Sequence, residues 1–510
     1  MFPGESYGVA VSVAPLHPWE PELLPPDPDR RPMRLDEMLP AERLTDDELA
    51  REIQRCEQVE AVVAAYKAER IIELAARRPA SADPHPGAAG AAAERDERLP
   101  EGVSEFFPDE LAMILNCSRT RATVLAETSQ TLLSTLPTTW RALAEGRIDY
   151  PRARALAAEL GWPARGTDPV VISAVEAAML PIATTMSVKR LRAATRAELI
   201  ARDAAAAELR RKQAERTADV RVRSIGNGMA EVVQTTTTPV AAAIVDTADR
   251  LARMAKADGD ERSLGQLRSA MLSDLTLRPW DTSRPPVTAH LTVLASLEAL
   301  QQRPGAVAEV DGHPITAAHA RELLESLDAL CPGGLEVPTG GSVTVAVIAP
   351  DSGELLASPT LSELRSVARR GCRDHPDLSC DCPVLGRPPR VDRYRPSAAQ
   401  RRWGKSRDRT CRHPGCDNAA GWADLDHVVP HAAGGPTDCD NLCCLCRRHH
   451  RLKTHARGWH FVLHRDGTLA VTTPTGVTRT TRPPGLHALD DLRPVPATEL
   501  TGPVDDPPPF

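Results

Sequence analysis

The chain has 510 residues, 42% of them apolar but only 3% aromatic, and a net charge of −7. That length exceeds what one core organises, so two or three domains are expected, packed largely by the small side chains of Ala-rich helices. The acidic total excludes a uniformly basic coat for nucleic acid, yet residues 387–466 carry 16 Lys+Arg against 8 Asp+Glu. This local +8 leaves −15 on the rest and points to a polyanion partner for one basic C-terminal module.

In chain order, residues 1–40 are rich in Pro and acidic residues and read as disordered. They lack the basic start and long apolar core of a secretory leader. No run of about 18 apolar residues exists, so no membrane span is expected. Thr45-Asp-Asp-Glu48 has the capping-box pattern and opens a helix to about Arg78, with Leu49, Ile53, Cys56, Val59, Val63 and Tyr66 on one face. Residues 79–100 read as a loop rich in Ala, Gly and Pro.

A helical block spans roughly 104–218, with Ser187 capping one long charged helix that ends near Thr217. Within it, Asp109 to Leu132 has a helix-turn-helix pattern around Asn116 to Ser118. Helical bundles give the same pattern often, and the bundle reading is preferred over DNA reading. Val220 to Val233 alternates around Gly226-Asn227-Gly228 and predicts a β-hairpin. A helix pair covers 239–277, and short strands with a helix from Ala317 to Leu330 fill 286–360. Residues 361–386 form a connector in which Cys372, His375, Cys380 and Cys382 have ligand-like spacing; a turn-rich connector is preferred over a second zinc site. The final module covers 387–480, and 481–510 is a Pro-rich tail.

Six of the twelve cysteines lie between Cys411 and Cys446, interleaved with histidines. Such placement favours metal binding in a reducing, cytoplasmic setting over a disulfide framework. Cys411 and Cys416 flank a turn with Pro414-Gly415. Cys446 and His449 share one helix face at i, i+3. Together the four predict a tetrahedral structural zinc site. Beyond them, Asp426 and His427 are adjacent, Asn441 follows 14 residues later, and His450 sits about 100° around the helix from His449. Asp426 and His450 form a sparse O/N pair fit for a second metal with open positions. His427 is an imidazole fit to take a proton from water, and Asn441 is placed to fix it. Arg447, Arg448, Arg451 and Lys453 extend from the same helix as candidate phosphate contacts, weighed evenly against a solvated face. His431 reads as a surface loop residue, and Cys439, Cys443 and Cys444 as packing residues.

The pattern DH…N…HH after a CxxxxC pair resembles the HNH endonucleases. Over residues 394–459 it is similar to actinobacterial proteins that place a helical domain, domain of unknown function 222, before an HNH module. The helical resemblance runs from about Leu44 to about residue 360 and rests on looser patterns such as LPTTWRALAEGRIDYPRARAL. The resemblance implies a multidomain, mainly α chain. A helical domain with a small β portion would fill 41–360, and a C-terminal ββα-metal nuclease module 387–480. It further implies DNA as partner and association with the nucleoid when bound. His427 would be the general base and Asn441 the central Asn. Asp426 and His450 would hold the catalytic divalent metal, magnesium or manganese ahead of zinc or nickel. Cys411, Cys416, Cys446 and His449 would hold structural zinc. Where some members carry a third metal ligand, this chain has Thr454, which leaves two protein ligands or a contact through water. The alternative reading is a zinc-stabilised DNA-binding or regulatory module without cleavage.

Overall fold

The computed structural model describes residues 44–483 apart from 86–97, 100–101, 227, 278–292, 296–299, 301–306, 311–312, 333, 338–341, 349–353 and 371–385. The stretch expected to be disordered, nearly all of the Pro-rich tail, and the group Cys372, His375, Cys380 and Cys382 lie outside the described residues.

The chain is mainly helical with small sheets. Helix α1 (Asp46–Ala76) begins as its sequence dictates: Glu48 N–H donates to the Thr45 hydroxyl, and the Glu48 carboxylate accepts from Thr45 N–H at 2.8 Å. Its buried face is not the expected one. Ala61, Ala65, Ala68, Ile71 and Ala75 face inward, while Ile53, Val59, Val63 and Tyr66 are at least half exposed. Alanine spacing wins because neighbouring helices press close to the α1 backbone. The Trp140 indole reaches the Ala65 carbonyl at 3.3 Å.

Seven helices complete this bundle: α2 (Phe107–Leu115), α3 (Arg119–Gln130), α4 (Pro137–Ala144), α5 (Tyr150–Leu160), α6 (Pro169–Met179), α7 (Val188–Arg202) and α8 (Ala204–Arg216). The main core gathers Leu132, Leu136, Leu143, Leu156, Leu160 and Leu191 around the α1 alanines. Asn116, at φ +50°, caps α2, and Ser118 caps α3 by accepting from Arg121 N–H, so the expected helix-turn-helix shape is present. Its first helix is interior, with Phe107 to Met113 all buried. The long helix expected after Ser187 is two helices. Asp203 leaves helical geometry (φ −144°, ψ 72°) and its carboxylate accepts from Ala206 N–H, starting α8 afresh.

The hairpin β1 (Val220–Gly226) and β2 (Met229–Gln234) follows, then helices α9 (Thr238–Ala257) and α10 (Leu264–Leu277). An antiparallel sheet of β3 (Val293–Ala295), β4 (Val307–Val310) and β5 (His313–Thr316) carries α11 (Ala317–Ser326). Helix α11 stops short of the expected end, ahead of Asp328 at φ +54°. Two minor pairs, β6 (Leu330–Cys331) with β7 (Gly334–Leu335) and β8 (Val347–Ile348) with β9 (Leu355–Ala357), lead to α12 (Leu361–Arg370).

The C-terminal region holds α13 (Ala398–Asp408), the antiparallel pair β10 (Asp424–His427) and β11 (Leu442–Leu445), and α14 (Arg447–His455). The sheet of β12 (His460–Leu463), β13 (Leu469–Thr472) and β14 (Thr478–Thr481) closes it. Cys411, Val428, Cys443, Leu445, Leu469 and Val471 form its core, and Met113 of α2 is buried among them. The Arg479 side chain also donates to the Met113 carbonyl at 2.6 Å. The helical bundle and the C-terminal region therefore share packed interior.

Candidate metal centre

The strand β11 is held from behind by a buried charge network. Asp408, fully buried at the end of α13, accepts from Cys444 N–H at 2.7 Å, from Arg407 at 2.7 and 3.0 Å, and from Arg412 at 3.1 Å. Burial alone would raise the Asp408 pKa, but Arg407 and Arg412 hold it below the usual carboxylate range. Arg407 also donates to the carbonyls of Cys439 and Leu442 at 3.0 and 2.7 Å. The register then sets Asp426 opposite Cys443 and His427 opposite Leu442.

Between the strands, Asn441 closes the loop. Its side-chain oxygen accepts from Val429 N–H at 2.8 Å, and its amide donates to the carbonyls of Val429 and Pro436, both at 2.9 Å. The loop passes so near its own backbone that a Cβ on Gly435 would lie 1.9 Å from the Val429 oxygen. Glycine is required there on space alone.

The four expected zinc ligands converge. The ligating atoms of Cys411, Cys416, Cys446 and His449 all lie within 4.8 Å of one another. The His449 Nδ1 is 3.3 Å from both the Cys411 and Cys446 sulfurs. Cys446 caps α14, so Cys446 and His449 project from one turn. Thiol–thiol hydrogen bonds push Cys446 down and Cys411 up. Three sulfurs and one imidazole nitrogen at this spacing are the donor set of a zinc or similar soft-metal site. Cys439, Cys443 and Cys444 stand apart. They are buried, and burial pushes the Cys439 and Cys443 thiols up to about 11 and about 12.

A second cluster lies about 100° around α14 from the first. His450 Nδ1 is 2.9 Å from Asp424 Oδ2, and its Nε2 is 3.3 Å from Asp426 Oδ1. Two ligands at right angles on one ion about 2.1 Å away stand about 3 Å apart, close to the Asp426–His450 spacing. The other Asp426 oxygen is buried without a well-aligned hydrogen bond. Lys453 Nζ approaches that oxygen at 2.9 Å and donates to the His427 carbonyl. The Thr454 hydroxyl turns back to the His450 carbonyl at 2.8 Å.

His427, 4% exposed, bonds through Nε2 to Thr437 Oγ1 at 2.8 Å. The Thr437 hydroxyl donates onward to the Arg393 carbonyl at 2.6 Å. Its proton being so committed, Thr437 can only accept from His427, which fixes the proton on Nε2 and leaves Nδ1 as the lone-pair nitrogen. Burial also lowers the His427 pKa, favouring the neutral ring. Tyr394 stacks over this ring at 5.4 Å, and the exposed His431 meets it edge-on at 5.6 Å.

Arg447, 75% exposed, points outward, 3.5 Å from Asp424. Its neighbours do not. Arg448 pairs with Asp109 and donates to the Glu105 carbonyl; Arg451 pairs with Glu105 at 2.6 Å. Lys453 is 8% exposed. Three of the four expected phosphate contacts are thus engaged within the chain.

Asp424, Thr437, Tyr394 and Asp109 were not singled out in the sequence. Only Asp424 carried a usable signal, since the alternation in Asp424-Leu-Asp426 puts both carboxylates on one strand face.

Among curated proteins, the uncharacterized protein Rv3776 of Mycobacterium tuberculosis is 36% identical over 215 residues, which is 40% of this chain and 39% of that protein. The uncharacterized protein Rv2100 of the same organism is 41% identical over 149 residues, 29% of this chain and 23% of that protein. The chain thus matches well under half the length of these relatives. No solved structure matches. The family described as "Domain of unknown function (DUF222)" matches residues 50–330, more than half of the chain, and the protein belongs to that family.

Proposed function

We propose that the C-terminal region is an HNH-type, ββα-metal endonuclease module that hydrolyses phosphodiester bonds in DNA. The observation that carries this reading is the relay from the Arg393 carbonyl through Thr437 to His427. It leaves a lone-pair nitrogen on a neutral imidazole one residue along β10 from Asp426, the partner of His450. His427 Nδ1 takes a proton from water as the water oxygen attacks phosphorus, and the P–O3′ bond breaks. Asn441 keeps the loop, and so the ring, in place. A divalent ion held by Asp426 and His450, magnesium or manganese ahead of zinc or nickel, would supply Lewis-acid stabilisation of the phosphate and departing oxygen. Phosphate contacts fall to Arg447 and to the exposed Arg390, Arg393 and Arg395 beside Tyr394, because Arg448 and Arg451 are already paired.

One observation favours a module that binds DNA without cutting it. The Lys453 ammonium sits at the Asp426 carboxylate, where a divalent ion would compete with it. A nicking assay separates the two readings. Full-length protein, stripped of loosely held metal and given magnesium or manganese, is expected to nick plasmid DNA, and His427→Ala to lose the activity. Folded protein that retains its zinc but nicks nothing with either ion supports the binding module instead.

A further inference from the structure

His449 presents Nδ1 to the three thiols, and its Nε2 points out of the C-terminal region altogether. It meets Asp109 Oδ1, on α2 of the helical bundle, at 3.3 Å. Asp109 has a fully buried side chain, and the same carboxylate is clamped by Arg448 and approached by Arg119 at 3.5 Å. One helical turn on, Met113 is buried with Cys411 and Cys446. The Gly415 turn between the first two thiols lies against the Cys117 carbonyl.

A histidine that binds metal through one nitrogen commonly donates its other N–H to a carboxylate. That bond fixes the ring and makes the ligating nitrogen more basic. Here the carboxylate comes from a residue 340 positions away, inside the segment matched by the family. We infer that Asp109 is a positioning residue for the metal ligand His449, so that metal binding by the Cys411/Cys416/Cys446/His449 cluster and docking of α2 are one linked equilibrium. Linkage makes the effect reciprocal: whatever factor the docked carboxylate adds to metal affinity, bound metal adds to docking. The inference rests on the metal reading of the four-residue cluster and does not depend on nuclease activity.

The test uses full-length protein and zinc alone as probe. Zinc affinity is measured by chelator competition for the wild type, Asp109→Asn and Glu105→Gln. Asp109→Asn keeps the shape and removes the charge behind His449. Glu105→Gln weakens the neighbouring Arg451 pair at the same interface without touching His449. The expected result is a loss of about 10–100-fold in zinc affinity for Asp109→Asn. For Glu105→Gln the expected loss is several-fold smaller. Hydrogen exchange on the wild type supplies the reciprocal arm and stands even if Asp109→Asn fails to fold. Removing zinc is expected to speed exchange in residues 105–115 as well as around the ligands. Equal zinc affinity in Asp109→Asn and wild type, equal losses in both variants, or exchange at 105–115 indifferent to zinc would each overturn the linkage. Wild type that holds no zinc would overturn the metal reading and the linkage together, and plasmid nicking would be judged separately.

Discussion

Replacing Asp408 with Asn tests the network that holds β11 in register. The side chain is fully buried, accepts four hydrogen bonds, and is the shared counter-charge of two guanidinium groups that are themselves only 8% and 2% exposed. Removing the charge leaves Arg407 and Arg412 in the interior against a neutral amide whose own N–H groups meet their donors. Breaking a buried pair by deleting one partner costs about 3–5 kcal/mol. With a urea dependence of about 2 kcal/mol per molar, the unfolding midpoint of the C-terminal region should fall by roughly 1.5–2.5 M. The assay is urea-dependent hydrogen exchange of β10 and β11 in zinc-loaded, full-length protein, with the wild type as reference. A shift worth less than about 1 kcal/mol would refute the reasoning. It would mean that the carbonyls of Cys439, Leu442, Gly467 and Thr481 satisfy the two arginines without a counter-charge.

Thr437→Val removes the acceptor for His427 Nε2–H; the plasmid-nicking rate should drop about 10–100-fold and Thr437→Ser should restore it, the loss of one buried hydrogen bond being about 1–3 kcal/mol. Equal rates in Val and Ser variants would exclude a tautomer role. Gly435→Ala drives a methyl into the Val429 carbonyl and the Asn441 amide, and should cost at least about 1–3 kcal/mol in urea unfolding. Ala65→Leu, at a position 1% exposed against Trp140, should destabilise the bundle by about 1–3 kcal/mol. Val63→Ala on the same helix should change thermal or urea stability by less than about 0.5 kcal/mol.

What the sequence disclosed depended on how local the signal was. The Thr45 cap, the Gly226–Gly228 hairpin and the ligand spacing of Cys411, Cys416, Cys446 and His449 are short-range patterns, and each appears in the fold. The buried face of α1 is not legible from residue size, because the closeness of neighbouring helices decides it. Ile53 and Val63 look like core by hydrophobicity, yet the close helix neighbours accept alanines at four of the five inward positions. The break at Asp203 is hidden because Ala-rich, charged sequence on both sides is helical, and a single capping aspartate is enough to start a second helix. Asp109 and Thr437 could not have been read at all, since their importance comes from residues 340 and 10 positions away brought together by tertiary packing.

The charge count shows the same limit in a form that bears on DNA binding. A local +8 suggested an exposed basic surface, but the chain consumes much of it. Arg448 and Arg451 pair with Asp109 and Glu105 of the bundle, Arg402 with Glu363 and Arg409 with Glu309, all of them carboxylates outside residues 387–466. The bundle is therefore not a separate electrostatic body; some of its carboxylates are the counter-charges of the basic region. A polyanion approaching α14 meets Arg447 on that helix and the exposed arginines of 390–395 near Tyr394, and to recruit Arg448 or Arg451 it would have to displace Asp109 or Glu105. Because Asp109 also holds His449, that displacement would loosen the metal cluster, so a DNA complex that keeps its zinc should leave Arg448 where it is. Footprints of the complex by lysine- and arginine-directed modification should accordingly protect Arg447, Arg393 and Arg395, with the reactivity of Arg448 unchanged by DNA.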